Sequence, residues 1–294
     1  MSPAATSSTA RFVVPALAAV YLIWGSTYLG IRVGLDGYPP FLMGGIRFSV
    51  GGLLFYAFLR WRGHAAPTPP QWRNAVVMGL LMMLLGNGLV NLAEKTVSSG
   101  LAAIAIASMP LWTGMFSAFR GRHPPPLEWL GLGIGFAGVV WLNVGSAMSA
   151  SLPGMLALLL APIAWAFGSV WSRGRDLPAS FMNTAAQMLC GGVMMTALGF
   201  GLGERMHALP SLQSTLAVAY LAVFGSIVAF SAYVWLLENV RPAIATSYAY
   251  VNPPIAVVLG ALLLGEKVDG HVVGAMIVIL SGVLIITRAK ARAA

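Results

Sequence analysis

The sequence predicts an all-α membrane protein of about ten transmembrane helices, arranged as two inverted five-helix repeats around a central cavity. Three observations predict it. Of the 294 residues 58% are hydrophobic and only 9% charged, against roughly a quarter charged in soluble domains, and the mean hydropathy is +0.82. The apolar residues fall in stretches of about 20, the length an α-helix needs to cross roughly 30 Å of hydrocarbon. Lys and Arg concentrate in alternate connections, the pattern of cytoplasmic loops.

Breaks at charges, prolines and polar turns divide the chain into spans 12–31, 38–59, 74–93, 97–119, 127–144, 153–172, 179–202, 212–236, 242–264 and 270–287. The first apolar run starts at Phe12 and ends in Trp24-Gly25-Ser26-Thr27-Tyr28. It is too long for the core of a signal peptide and reads as a retained first helix. Span 2 opens with Pro39-Pro40 and contains Arg47; three prolines in 60–71 separate it from span 3, which carries Asn87 and Asn91. Span 4 contains Pro110, and three more prolines in 121–126 precede the glycine-rich span 5. Span 6 carries Trp165, span 7 Gln187 and the lone Cys190, and span 9 Tyr248, Asn252 and Pro253; span 10 runs into the basic tail. All connections are too short to hold an extramembrane domain.

Charge placement gives the orientation and checks the span count. Twelve of the 17 Lys and Arg lie on one side, four (Arg32, Lys95, Arg205 and Lys267) on the other, and Arg47 falls within a span. One missed or invented helix would destroy this asymmetry. Both termini are therefore expected in the cytoplasm. Membrane topology also accounts for the net charge of +9, because no basic patch carries the stacking aromatics of a nucleic-acid surface. A single cysteine supports neither a disulfide framework nor a thiolate metal site, and Cys190 reads as a packing residue.

The segments 1–145 and 152–294 show faint self-similarity: Trp24 aligns with Trp165, Ala102 with Ala245, Pro110 with Pro253, and Gly138 with Gly282. Pro110 and Pro253 fall at the same depth of the fourth span of each segment, where proline removes a backbone hydrogen bond and kinks a helix. An odd number of spans per segment makes the second segment enter from the opposite side. That inverted repeat suits alternating access around a midplane site.

Several pieces, taken in order and spacing, resemble the EamA family of the drug/metabolite transporter superfamily. They are Trp24-Gly25-Ser26, Pro39-Pro40 with Arg47-Phe48, Ser98-Ser99-Gly100-Leu101-Ala102-Ala103 leading to Pro110-Leu111, Trp165-Ala166, Asn252-Pro253-Pro254 and Gly265-Glu266-Lys267. The resemblance covers essentially the whole chain. Gly121-Arg122 stands where the family usually has Gly-Glu-Arg or Gly-Glu-Lys, so no acid acts at that turn. Within the family the aromatic-rich helices are most similar to YddG-type amino-acid exporters. The resemblance implies export of amino acids, including aromatic or other neutral ones, and related metabolites, without ATP. Drugs or organic cations are the alternative substrates; a channel or a membrane-embedded enzyme fits less well. The implied setting is a bacterial cytoplasmic membrane, with a monomer surrounded by lipid and acting on a small solute.

Candidate site residues follow from polarity and helical faces. Arg47 is the one charge deep in a span, where burial in lipid costs about 2.5 kcal/mol or more. It either attracts a substrate carboxylate or ties its helix to a neighbour's carbonyls. Asn87 and Asn91 are four apart and expected on one face, either toward substrate or toward another helix. Ser108 and Trp112 flank Pro110, and Tyr248 and Asn252 precede Pro253; carbonyls freed by the kinks are tolerated where they line a wet cavity. Trp24, Tyr28, Trp165 and Gln187 complete an aromatic and amide lining.

Other patterns are discarded. Gly133-Ile134-Gly135-Phe136-Ala137-Gly138 mimics a dinucleotide fingerprint but lies inside an apolar span; with Gly131 it reads as helix packing. The stretch 260–267 has Gly-Glu-Lys where a phosphate loop needs Gly-Lys-Ser/Thr. The four histidines (His64, His123, His207 and His271) lack metal-ligand spacing, and no catalytic constellation is present. No metal or cofactor is expected. All eight acids map to loops or helix ends, whereas proton-coupled transport relies on intramembrane titratable groups. A facilitator or weakly coupled exporter is therefore expected.

Overall fold

The computed structural model describes residues 7–96, 105–142, 151–206, 208–264 and 269–289, and among them it is helical with no strand. The sequence stretches 98–103 and 265–267, and His207, lie outside the described residues. The helices are α1 (Ser7–Leu35), α2 (Pro40–Trp61), α3 (Pro69–Ala93), α4 (Met109–Phe119), α5 (Pro126–Leu142), α6 (Leu152–Trp171), α7 (Ser180–Gly201), α8 (Leu212–Asn239), α9 (Pro242–Thr246), α10 (Tyr248–Leu264) and α11 (Gly270–Arg288).

Seven described helices are long and apolar enough to cross a membrane: α1, α2, α3, α6, α7, α8 and α11. The 17-residue α5 falls just short of that length. The expected spans 97–119 and 242–264 are interrupted, at Ser108 and at Ser247. The interruptions therefore precede Pro110 and Pro253 rather than falling on them. Pro110 sits in the first turn of α4, where its missing N–H costs nothing, and Pro253 lies inside α10. Each serine folds its hydroxyl back onto the chain, Ser108 Oγ donating to the Ala105 carbonyl at 2.5 Å and Ser247 Oγ to that of Ile244 at 2.7 Å.

Local chemistry fixes the ends. The carboxylate of Glu204 accepts from the free backbone N–H groups of Phe41 and Leu42 at 3.2 and 2.8 Å, opposite the positive end of the α2 dipole. Ser151, Ser211 and Asp269 cap α6, α8 and α11. Gly63, Gly121, Gly174 and Gly203 follow α2, α4, α6 and α7 with φ between 74° and 85°, the left-handed conformation that ends a helix.

Two helices depart from α geometry. α3 is π-helical over Gly79–Gly88 and α8 over Leu221–Val228. Each is the third expected span of its segment. In both, a polar side chain reaches back five residues, Asn87 Nδ2 to the Met82 carbonyl (3.1 Å) and Ser226 Oγ to that of Leu221 (2.9 Å).

Glycine lets helices touch through backbone. Between α2 and α7, a Cβ on Gly52 would meet the Leu189 nitrogen at 2.8 Å and one on Gly192 the Ser49 nitrogen at 2.4 Å. Between α5 and α11, Gly131, Gly135 and Gly138 pack on Gly282 and Ile279, whereas Gly133 faces open space. The outward faces are apolar and exposed, for example Leu53, Leu54, Leu159, Leu160, Ile277 and Leu284, as a lipid-facing surface requires.

The arginine-rich connections share one end of the bundle. There Gln71 Nε2 donates to Asp176 Oδ1 at 2.9 Å, Arg120 to the Val170 carbonyl at 2.6 Å, and Arg173 to that of Val240 at 2.5 Å. Arg241 pairs with Glu128. The opposite end gathers Glu204 with α2, Ser214 with the Val33 carbonyl (2.9 Å), and Thr96 with Ser151 (2.7 Å).

Candidate substrate cavity

α1, α2, α3, α6 and α10, with residues just before α4 and at its start, line a partly open, mainly apolar cavity, the kind of concave site that small molecules occupy. Of the residues expected from the sequence, Trp24, Tyr28, Arg47, Asn87, Trp165, Tyr248 and Asn252 line it. They come from both segments of the chain.

Aromatic rings form its floor. The ring of Trp24 lies 4.5 Å from that of Tyr248 and 5.6 Å from that of Trp165, both edge-on. Behind them stand the fully buried Phe230 and Tyr233. This layer lies on the arginine-rich side of the cavity, and the Tyr233 and Ser169 hydroxyls join at 2.7 Å beneath it. Gly86 makes room for the floor: a Cβ there would come within 2.7 Å of the Trp165 ring.

The α8 π segment anchors two lining residues. Trp24 Nε1 donates to the Gly225 carbonyl at 2.8 Å, and Arg47 Nε donates to Ser226 Oγ at 2.7 Å. Arg47 is only 3% exposed, and among the described residues it has no acidic partner within ion-pair distance. Its guanidinium lies over the adjacent Phe48 ring, 4.7 Å from the centroid. Ser226 takes up one of the five guanidinium N–H donors. The same side chain thus holds α2 to α8 and presents a cation to the cavity.

Asn252 is 2% exposed and its Oδ1 has no hydrogen-bond partner; Tyr28 faces the same amide. Tyr248 donates to Met109 Sδ at 3.4 Å. An aromatic cage with one cation and an unpaired amide oxygen can hold an amphipathic solute bearing a carboxylate and a hydrogen-bond donor.

Four expected residues do not line the cavity. Asn91 is fully buried and donates to the Pro40 carbonyl at 3.2 Å, tying α3 to α2. Ser108 and Trp112 bond to each other at 3.2 Å beside the α4 interruption. Gln187 is buried in α7, with both amide atoms unpartnered, away from the lining. The sequence reading missed Thr27, Ile31, Gly86, Val90, Ile106, Met109, Ala161 and Pro162, all of which line the cavity. Pro162 alone carried a signal, being a proline inside a span as Pro253 is. Among the described residues no group of His, Cys, Asp or Glu could hold a metal ion.

Comparison with known proteins places this architecture. The model of the EamA-like transporter family matches residues 11–144 and again 152–288. The chain belongs to the EamA-like transporter family. It is 46% identical over 276 residues to the uncharacterized inner membrane transporter YedA of Escherichia coli (strain K12), covering 94% of this chain and 90% of that one. It is 28% identical over 247 residues to the uncharacterized transporter YdfC of Bacillus subtilis (strain 168), covering 83% and 80%, and 25% identical over 273 residues to protein PagO of Salmonella typhimurium, covering 90% of each. A crystal structure with 22% identity superposes with a TM-score of 0.78 over 94% of this chain and 97% of its own, a likeness of fold. This EamA-family chain is a multi-pass membrane transporter.

Proposed function

We propose that this EamA-family transporter exports amino acids, including aromatic or other neutral ones, and related metabolites across a bacterial inner membrane by alternating access. The observation that carries the reading is that Arg47 and Asn252, whose Oδ1 is unpartnered, line the same aromatic cavity. The guanidinium suits an α-carboxylate, the amide oxygen an α-ammonium, and the rings an apolar side chain. In this reading ten spans form two inverted halves, 1–145 and 152–294, acting as a monomer with both termini in the cytoplasm. The cavity then faces outward, and the aromatic floor seals its cytoplasmic side. The sequence holds no phosphate-loop motif, so in this reading the solute's own gradient or a coupled ion gradient supplies the energy.

Organic cations are the second reading, because aromatic faces attract cations. The fixed charge of Arg47 opposes it. Counterflow in proteoliposomes against a panel of amino acids, nucleosides and quaternary amines tests both. Saturable counterflow of L-phenylalanine or another neutral amino acid is expected; a response to quaternary amines alone would replace the amino-acid reading with the cation one.

A further inference from the structure

An acid expected in a loop is buried. Glu94 follows the last residue of the Pro69–Ala93 span, yet it is only 8% exposed, and its Oε1 has no hydrogen-bond partner. It stands one helical turn beyond Val90, which lines the cavity, on the side away from the aromatic floor. From α1 it is faced by Tyr28, a lining residue, and by Arg32, which acts electrostatically but forms no ion pair within 4 Å. The end of α3 packs on α6, which has no titratable side chain, and on α2, whose nearest charge is Arg47 deeper in the cavity. Glu204, at the start of α2, is already occupied by the Phe41 and Leu42 amides, and Lys95 is the next residue in the chain. Glu238, which ends near the other face of the bundle, has the Ser180 hydroxyl as donor. Glu94 has no such donor among the described residues.

We propose that Glu94 is a proton-binding site beside the cavity, one turn beyond Val90, whose loading from the solution on that side couples solute export to the proton gradient. The proposal rests on the transporter reading above and replaces the facilitator expected from the sequence. The step is one proton transfer: Glu94 carboxylate plus a proton from solution gives the neutral carboxyl, and the reverse releases it on the other side of the cycle. Closing the cavity over a carboxylate would strand an unpaired charge in a drier site, unless the cationic group of a bound solute takes the proton's place. Closing it over a neutral carboxyl would not. Burial pushes the Glu94 carboxyl up to about 8, opposed by Arg32, so the proton is held below that pH and lost above it.

Two measurements test this. Infrared titration of the substrate-free protein in nanodiscs should show a protonated carboxyl band that disappears as pH rises through about 8, is missing in Glu94→Gln and is shifted in Glu94→Asp. In proteoliposomes, an imposed pH gradient should concentrate L-phenylalanine roughly tenfold per pH unit for one proton per solute. Glu94→Gln should keep phenylalanine exchange but lose the gradient-driven accumulation, and Glu94→Asp should retain both. A carboxyl titration unchanged in Glu94→Gln overturns the proposal, as does wild-type exchange that ignores the pH gradient or gradient-driven accumulation that survives in Glu94→Gln. If the wild type exchanges no amino acid of the panel, the amino-acid reading falls, and the substrate-free titration alone decides the proton site.

Discussion

Arg47 concentrates two demands in one side chain. Its Nε is committed to Ser226 at 2.7 Å while the side chain lines the cavity, so its terminal nitrogens are left for a solute carboxylate. Lysine keeps the charge but has a single nitrogen and no fork, so it cannot hold Ser226 and a carboxylate with the same geometry. Arg47→Lys is expected to raise the KM for L-phenylalanine exchange about tenfold, and Arg47→Ala to lower kcat/KM about a hundredfold, as losing one or two charge-assisted bonds of roughly 1.5–3 kcal/mol implies. Initial exchange rates, read beside the yield of folded protein, check this; loss of folded protein with unchanged affinity in the remainder would leave Arg47 a purely structural tie. Arg47 was legible because charge inside an apolar span is costly wherever it points. Glu94 was not, because position along a helix says how near the end a residue lies and nothing of what covers it sideways. Asn87 and Asn91 take the two alternatives the sequence left open, Asn87 lining the cavity and Asn91 bonding to α2. The π segment ends at Gly88 between them, and its wider turn breaks the four-residue register that would put both on one face.

Interruptions and glycine faces decide where the helices can meet. The two prolines correctly marked the neighbourhoods of irregular backbone, but the breaks fall at Ser108 and Ser247, where each hydroxyl satisfies a carbonyl of the preceding turn. Nothing in local composition distinguishes the π segments from ordinary apolar helix; each is accompanied by a side-chain bond to the carbonyl five residues back. The α5 glycines were legible as a small-residue face, and the contact is sharper than the pattern, because Gly131, Gly135 and Gly138 touch α11 while Gly133 does not. A Cβ on Gly282 would lie 2.5 Å from the Gly135 nitrogen and 2.7 Å from its Cα. Backbone cannot step aside as a flexible side chain can. Gly282→Ala is therefore expected to destabilise the α5–α11 pair by about 1–3 kcal/mol and to lower the melting temperature in detergent. Gly133→Ala, with nothing within 4 Å, should leave it unchanged or raise it slightly through better helix propensity. Equal melting temperatures for the two variants would mean that this helix pair adds little to the stability of the fold.

At the scale of the whole chain, the arrangement of ends carries the most information. The sequence sorted Lys and Arg into alternate connections, and the structure brings the connections after α2, α4, α6 and α8 to one end through contacts such as Gln71 with Asp176 and Arg173 with the Val240 carbonyl. That sorting depends on where the chain turns rather than on helix length, so it is unaffected by the interruptions that leave α4, α9 and α10 short. The cavity lies on the other side of the aromatic floor, toward the arginine-poor end, with Glu94 one turn beyond its lining residue Val90. If basic residues are retained on the cytoplasmic face, that end of the cavity faces the outside. Single cysteines in a Cys190→Ala background test the orientation without reference to substrate. Ala65, in the arginine-rich connection after α2, and Ala208, in the connection after α7, are both exposed. In intact cells a membrane-impermeant maleimide should label Ala208→Cys and should reach Ala65→Cys only after lysis. The reverse pattern would turn the molecule over: the cavity would then open to the cytoplasm, and Glu94 would draw its proton from the cytoplasmic solution instead of the external one.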